Sequence, residues 1–276
     1  MTYQGIDTAA RITPSAAEKL RENGVSFAVR YLIPARYWNA MTAEEAADIR
    51  AAGLALMLCW ETTAERAKGG AAAGAEDGLK ARELAEAMGV PIGTVIYFAV
   101  DFDAQPEDME DIDAYFRAAR IGVGKYNAGI YGGRRVVSAL VNTTSWLWQC
   151  VAWSDSFVPY ATVIQYQWQG SPDAKALSEK VGAAVDLDSA TTLAGMWMPK
   201  TAIQEEELPM KKDWKKFFAA AGIRALRTFA QTAVATIGTS ALLSEVNWGV
   251  VASASALAAV LSILTSIATG LPEVEE

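Results

Sequence analysis

Five acidic residues stand at or just past the ends of short apolar runs: Asp7 in GID, Glu61 in CWE, Asp101 and Asp103 in VDFD, and Asp186 in VDLD. The chain contains no histidine. Ser-His-Asp and Cys-His catalysis and His-based zinc sites are therefore excluded, and proton transfer falls to carboxylates, tyrosines or lysines. Carboxylates held close together push their pKa values apart, so one keeps a proton while another stays ionised. Glycoside hydrolysis uses that division: one acid protonates the leaving oxygen, and a second carboxylate serves a water or an oxocarbenium ion. On extended spacing Asp101 and Asp103 share a face about 6.6 Å apart. Any one acid could instead cap the helix after its strand; the set as a whole points to catalysis. This chemistry needs no cofactor and no metal.

The elements that must position these acids are short strands alternating with helices. In Ile96–Asp103, residues Ile96, Phe98, Val100 and Phe102 make one apolar face, while Tyr97, Ala99, Asp101 and Asp103 make the other. A strand apolar on one side and acidic at its end suits a parallel barrel with a site at its mouth. Eight strands are predicted, at Tyr3–Asp7, Ser26–Leu32, Leu54–Glu61, Thr94–Asp103, Asn127–Tyr131, Trp146–Trp153, Ala161–Trp168 and Ala183–Asp188. Helices are predicted over Pro14–Asn23, Thr42–Ala52 (with a Thr42/Glu45 capping box), Ala75–Met88 and Pro106–Arg120, and 169–182 reads as loop. The architecture expected for 1–199 is a (β/α)8 barrel of the TIM type. Trp60, Tyr97, Tyr131, Trp153 and Trp168 fall at or near strand ends, where flat rings suit a sugar face. The run KGGAAAGAEDG lacks the Lys-Ser/Thr ending of a phosphate loop and reads as a loop leading into a helix. Cys59 and Cys150 lie in apolar runs and read as buried thiols.

The net charge of -8 argues against a nucleic-acid partner. No signal peptide is expected, because YQGID already reads as the first strand. Composition changes at Pro199: residues 200–216 form a charged linker ending in Lys211, Lys212, Lys215 and Lys216. Beyond it, Thr228–Leu243 has no charge for 16 residues and Asn247–Leu271 has none for 25. As a helix the second would be ~37 Å long, enough for a bilayer core of ~30 Å. Arg224 and Arg227 could snorkel and lengthen the first. A two-helix membrane hairpin over 217–276 is therefore expected, with the basic side cytoplasmic by the positive-inside rule. That topology starts the barrel in the cytoplasm and returns the acidic tail Glu273–Glu276 to the same side.

GID, FAVRYL, the AGL-to-CWE strand, GVPIGTVIYFAVDFD, AGIYGG, the WQ-bearing strand and VDLD, in that order, resemble the glycoside-hydrolase-like domain of unknown function 1906. That family is similar to the family 25 glycoside hydrolases, barrel lysozymes that cut the glycan of peptidoglycan. The resemblance covers roughly 3–198. It implies catalytic roles for Asp7, Asp101, Asp186 and Asp103, the last standing where the lysozymes carry their proton-donating glutamate. Gln167 or Gln165 matches the glutamine of the WQ strand. The candidate substrate-binding set is Arg30, Trp60, Glu61, Tyr97, Tyr131, Trp153 and Gln167. An aspartate at 103 is one methylene short, and a misplacement of about 1 Å can cost ~100-fold in rate.

The segment IRALRTFAQTAVATIGTSALLSEVNWGVVASASALAAVLSILTSIA resembles the small two-span phage holins. Together the two resemblances imply a phage lysis protein of the host inner membrane, homo-oligomeric through its hairpin, with peptidoglycan glycan strands as substrate. Two other readings stay open: a catalytically quiet glycan-binding barrel anchored to the membrane, and a soluble barrel with an oligomerising hairpin.

Overall fold

The computed structural model describes residues 2–199, 214–238 and 243–269. The charged linker, apart from its last residues, and the acidic tail lie outside these. The chain divides into two compact units, a barrel and a helical pair.

The barrel is closed by eight strands in chain order, β1 (Tyr3–Asp7), β2 (Phe27–Tyr31), β3 (Ala55–Trp60), β4 (Val95–Ala99), β5 (Asn127–Gly132), β6 (Leu147–Cys150), β7 (Val163–Gln167) and β8 (Asp186–Ala190). Strands β1 to β7 run parallel, as the alternation of apolar runs and helices predicts. The last does not. β8 is antiparallel to both β7 and β1, pairing Asp186 with Asp7 and Ala190 with Tyr3. Its first residue, not its last, therefore lies at the mouth. Side-chain alternation is the same in either direction along a strand, so the period-two pattern carried no information on this reversal. Below the mouth, β8 delivers the chain to the far end of the barrel. There Val95 N–H donates to Gly195 O (2.7 Å), and Leu56 and Trp197 exchange backbone bonds. Leu193, Met196 and Met198 pack into the interior and close that end.

The two faces of β4 are as the sequence predicts. Ile96, Phe98 and Val100 join the layer between strands and helices, while Tyr97 and Ala99 face the barrel interior. The flanking helices are α1 (Pro14–Glu22), α2 (Ala43–Ala51), α3 (Gly70–Ala87), α4 (Met109–Gly122), α5 (Arg134–Leu140) and α6 (Pro172–Val181). Helix α6 occupies the stretch expected to be loop; it opens at Ser171-Pro172 and ends at Gly182 in the left-handed conformation. Helix α3 begins at Gly70, so the glycine-bearing run is helix rather than loop. Its glycines serve close packing: a Cβ at Gly74 would lie 2.0 Å from Tyr115 O, and one at Gly78 2.4 Å from Ala119 O, both on α4. Thr42 caps α2 as predicted, accepting from Glu45 N–H (3.1 Å), but the capping box is not completed. The Glu45 carboxylate turns instead to Ile12 N–H (2.8 Å) and Arg30 (2.6 Å).

In the second unit, α7 (Trp214–Ile237) and α8 (Trp248–Thr269) pack on each other. The inward positions are small: Ala221 and Ala225 on α7 and Val251 and Ser255 on α8 are buried, and Thr228 Oγ1 donates to Ser262 Oγ at 3.5 Å. The large apolar residues Leu226, Phe229, Val234, Leu257, Val260 and Leu264 are outward and exposed. Asn247 caps α8 by accepting from Val250 N–H. Of the two expected spans, one, Trp248–Thr265, is long and apolar enough to cross a membrane among the described residues. Helix α7 carries Arg224 and Arg227 within its length and ends at Ile237; residues 239–242 of the first charge-free stretch lie outside the described residues.

Candidate active site

The inward-facing residues nearest the mouth come from almost every strand. Asp7, Tyr31, Cys59, Glu61, Asp101, Tyr131, Trp148, Gln165 and Asp186 line a cavity of about 110 Å³. Asp188 is fully buried in the same alternation on β8, one interior position beneath Asp186. Four of the sequence-predicted acids, Asp7, Glu61, Asp101 and Asp186, are thus brought together. No lysine or arginine lines the cavity.

A hydrogen-bond network fixes the acids. Gln165 Nε2 donates to Asp7 Oδ2 (2.8 Å) and Asp186 Oδ2 (3.1 Å), while its Oε1 accepts from Tyr131 O–H (3.2 Å). Gln169 N–H donates to Asp186 Oδ1 (2.6 Å). Trp148 Nε1–H donates to Asp188 Oδ1 (2.8 Å), and its ring packs on Tyr131 at 4.4 Å between centroids. Asp188 Oδ2 is buried without a hydrogen-bond partner among the described residues.

The electrostatics follow from burial with no balancing cation. Burial first, then the charge of Asp186, pushes Asp7 up to about 7. Glu61 is likewise pushed up to about 7, by burial and then by Asp101 and Asp7. Burial raises Asp101, with the Tyr131 hydroxyl pulling back, and raises Asp186 against the Gln169 N–H. Asp188 is held well above the carboxylate range by burial and by Asp7. With Asp7 and Glu61 both pushed up to about 7, the cavity holds carboxyl groups that gain and lose protons near neutral pH, as general acid–base work requires.

The other candidates lie elsewhere. Strand β4 ends at Ala99, so the alternation does not continue to Asp103, which is exposed and lines a separate groove with Gly133, Arg134, Arg135 and Trp153. Trp60 faces outward and packs against Phe98. Arg30 is also outward and 1% exposed, bonded to Glu45 and to the carbonyls of Thr8 (2.7 Å) and Asn39 (3.2 Å); it ties the mouth loops together from behind. Tyr97 is interior but outside the cavity lining, edge-on to Trp148. Gln167 donates to Asp173 (2.9 Å), away from the acids, so Gln165 is the glutamine of the cavity. Tyr31, Trp148 and Asp188 were not singled out from sequence. Asp188 was open to the alternation rule, since it is two residues from Asp186.

Residues 18–190 match the family model described as "Rv2525c-like, glycoside hydrolase-like domain", and 214–273 match that of "Putative lactococcus lactis phage r1t holin". The chain is 33% identical over 156 residues to the Bacillus subtilis protein "Uncharacterized protein YbfG", covering 49% of this chain and 21% of that one. It is 29% identical over 157 residues to the Mycobacterium tuberculosis protein named "Putative peptidoglycan hydrolase Rv2525c", covering 52% of this chain and 64% of that one. The chain thus spans less than two thirds of either relative's length. The crystal structure of Rv2525c with L-tartrate superposes with a TM-score of 0.60 at 24% identity, over 71% of this chain and 98% of that one, which establishes the shared fold. The holin of Lactococcus phage r1t is 42% identical over 59 residues, 21% of this chain and 79% of the holin. By these matches the chain belongs to the Rv2525c-like glycoside hydrolase-like family through its barrel, and to the r1t-type phage holins through residues 214–273.

Proposed function

We propose that this is a phage lysis protein in which a carboxylate-driven glycosidase acting on peptidoglycan is joined to a membrane-permeabilising holin segment. The observation that carries the reading is the convergence of Asp7, Glu61, Asp101 and Asp186 on one cation-free cavity at the barrel mouth. A relative named as a peptidoglycan hydrolase and a relative named as a holin support the two halves. At about 110 Å³ the cavity admits a few waters rather than a sugar ring. The glycan therefore lies across the mouth with its reacting edge over the acids. Exposed Trp38 and Trp168, on the loops after β2 and β7, offer ring faces beside it.

In this reading Glu61, protonated near neutral pH and open to the cavity, gives its proton to the leaving oxygen. Asp101 acts as the ionised partner that serves the water or the oxocarbenium ion. The buried Asp7–Asp188 pair and Gln165 hold the charge pattern. The full chain in detergent, incubated with isolated peptidoglycan and assayed for new reducing ends, tests this. Asp101→Asn and Glu61→Gln should each lose ~100-fold or more, since general acid–base groups contribute about 10²–10⁴. Undiminished rates in both would overturn it.

One observation favours a second reading, a glycan-binding barrel without turnover: Asp103, in the place of the lysozyme proton donor, stands outside the acid cavity. Glycan retained on the wild-type protein with no new reducing ends would select that reading.

The outward apolar and inward small residues of α7 and α8 suit lipid outside and close helix contact inside. In our reading the basic residues before the first helix keep that side cytoplasmic. The barrel then meets the wall after holin assemblies breach the membrane. Protease added to intact spheroplasts should leave the barrel uncut until leakage begins.

A further inference from the structure

Beside the acid cavity lies a groove of about 490 Å³ that includes Asp103, Gly133, Arg134, Arg135, Trp153 and Asp155. It is built on the loops that leave β4, β5 and β6. The segments at and just past the ends of two of those strands carry cavity residues, with Asp101 two positions before Asp103 and Tyr131 two before Gly133. Groove and cavity are therefore neighbours along the chain at the segments that follow β4 and β5.

The groove has a built wall. Trp153 is the one non-glycine with positive φ among the described residues (54°), and it is 41% exposed. A Cβ on Gly133 would lie 2.9 Å from Trp153 O, so the glycine admits this turn of chain. Ser154 Oγ accepts from Arg134 N–H (2.9 Å) and donates to Cys150 O (2.8 Å), which fixes the turn on both sides. A strained backbone that presents a half-exposed indole is a feature retained at binding sites.

The groove also has a free cation. Arg134 is neutralised by Asp155 (2.7 Å), Arg11 by Glu44, Arg66 by Asp77 and Lys68 by Glu65. Arg36 stacks on Tyr37. Arg135 is exposed, lines the groove, and has no carboxylate within ion-pair distance among the described residues. A carboxylate on the ligand is repelled by the acid cavity and attracted here.

We propose that this groove is a subsite for a carboxylate-bearing sugar residue, with Trp153 stacking on the ring and Arg135 receiving the carboxylate. The inference rests on the glycan reading above and adds to it a register: acidic substituents go to the groove, and a ring edge without negative charge faces the acids. The carboxylate could be a sugar's own acidic ether substituent or that of a peptide attached to it. The chemistry at Arg135 is the same.

The test is calorimetric titration of the full chain in detergent micelles, in an Asp101→Asn background so that no bond is cut. Four ligands are compared: a peptide-free muramyl tetrasaccharide with free carboxylates, its peptide-bearing form, the peptide-free form with carboxylates converted to amides, and a neutral N-acetylglucosamine tetramer. Arg135→Gln should weaken the carboxylate-bearing ligands by about tenfold and leave the amidated and neutral ones unchanged. Arg135→Lys should restore part of the loss, and added salt should weaken only the carboxylate-bearing forms. Tightest binding of the peptide-free or of the peptide-bearing form assigns the source of the carboxylate. Equal effects of Arg135→Gln on all four ligands, or none, would overturn this proposal and leave the glycan reading standing. Wild-type protein that binds none of the four would overturn both.

Discussion

Glu61 and Asp103 separate what burial does to a carboxyl group from what position in a motif suggests. Glu61 is sunk among other acids and pushed up to about 7; Asp103 stands exposed in the neighbouring groove. The proton-donor assignment therefore predicts a rate loss of ~100-fold for Glu61→Gln and under ~10-fold for Asp103→Asn, read as reducing ends released. The reverse order would return the role to Asp103, as the lysozyme resemblance implies. Stability responds to the same shifts. Asp7 and Glu61 sit near 7 in the fold against ordinary values of 3.8 and 4.5, so between those limits the folded chain binds more protons than the unfolded one. Their contribution is greatest below about pH 4, is lost as pH rises through about 7, and is flat above. Asp7→Asn, neutral at every pH, should melt higher than wild type at pH 8 and lose most of that advantage by pH 5; the same advantage at both pH values would contradict the shift. Arg30 belongs to the frame rather than to the cavity. Arg30→Ala strands the buried Glu45 carboxylate and should cost about 3–5 kcal/mol in chemical denaturation. Four of the five predicted acids were legible because each ends an apolar run, whereas Arg30 and Trp60 were misplaced by one residue of alternation. On a strand, that is the difference between the barrel interior and the helix layer.

At the level of elements, the helix pair α3–α4 shows why a glycine-bearing run was hard to read. Glycine signals a loop when its conformational freedom is used, but Gly74 and Gly78 are helical and are needed for the missing Cβ. Gly74→Ala gains ~1 kcal/mol of helix propensity. It also drives a methyl to 2.0 Å from Tyr115 O, so a net loss of about 2 kcal/mol is expected in a denaturant titration. A stabilised variant would show that the two helices separate freely. The eight strands were legible in number and order from their short apolar runs, while the ends of β4 and β6 and the start of β8 were misplaced by three or four residues. The direction of β8 was not legible, because nothing in the order of its side chains distinguishes up from down.

For the whole molecule, the sequence divides at the point where polarity changes character. Up to Pro199 apolar residues alternate with polar ones; in α8 they run on all sides, with the large residues Leu257, Leu261 and Leu264 exposed. That inversion is what a lipid solvent selects. Leu257 is 62% exposed near the middle of α8, and Leu257→Arg should cost ~3 kcal/mol of insertion, shifting the chain from the membrane to the soluble or aggregated fraction on flotation. Unchanged flotation would argue for a soluble hairpin. The reversed last strand has a consequence of a different kind. Had β8 climbed like the other seven, the chain would have left the barrel beside its acids. By descending, β8 hands the chain to the closed end, where Gly195 and Trp197 are stitched to β4 and β3. The barrel thus has its outlet at the back, on the side opposite the acid cavity.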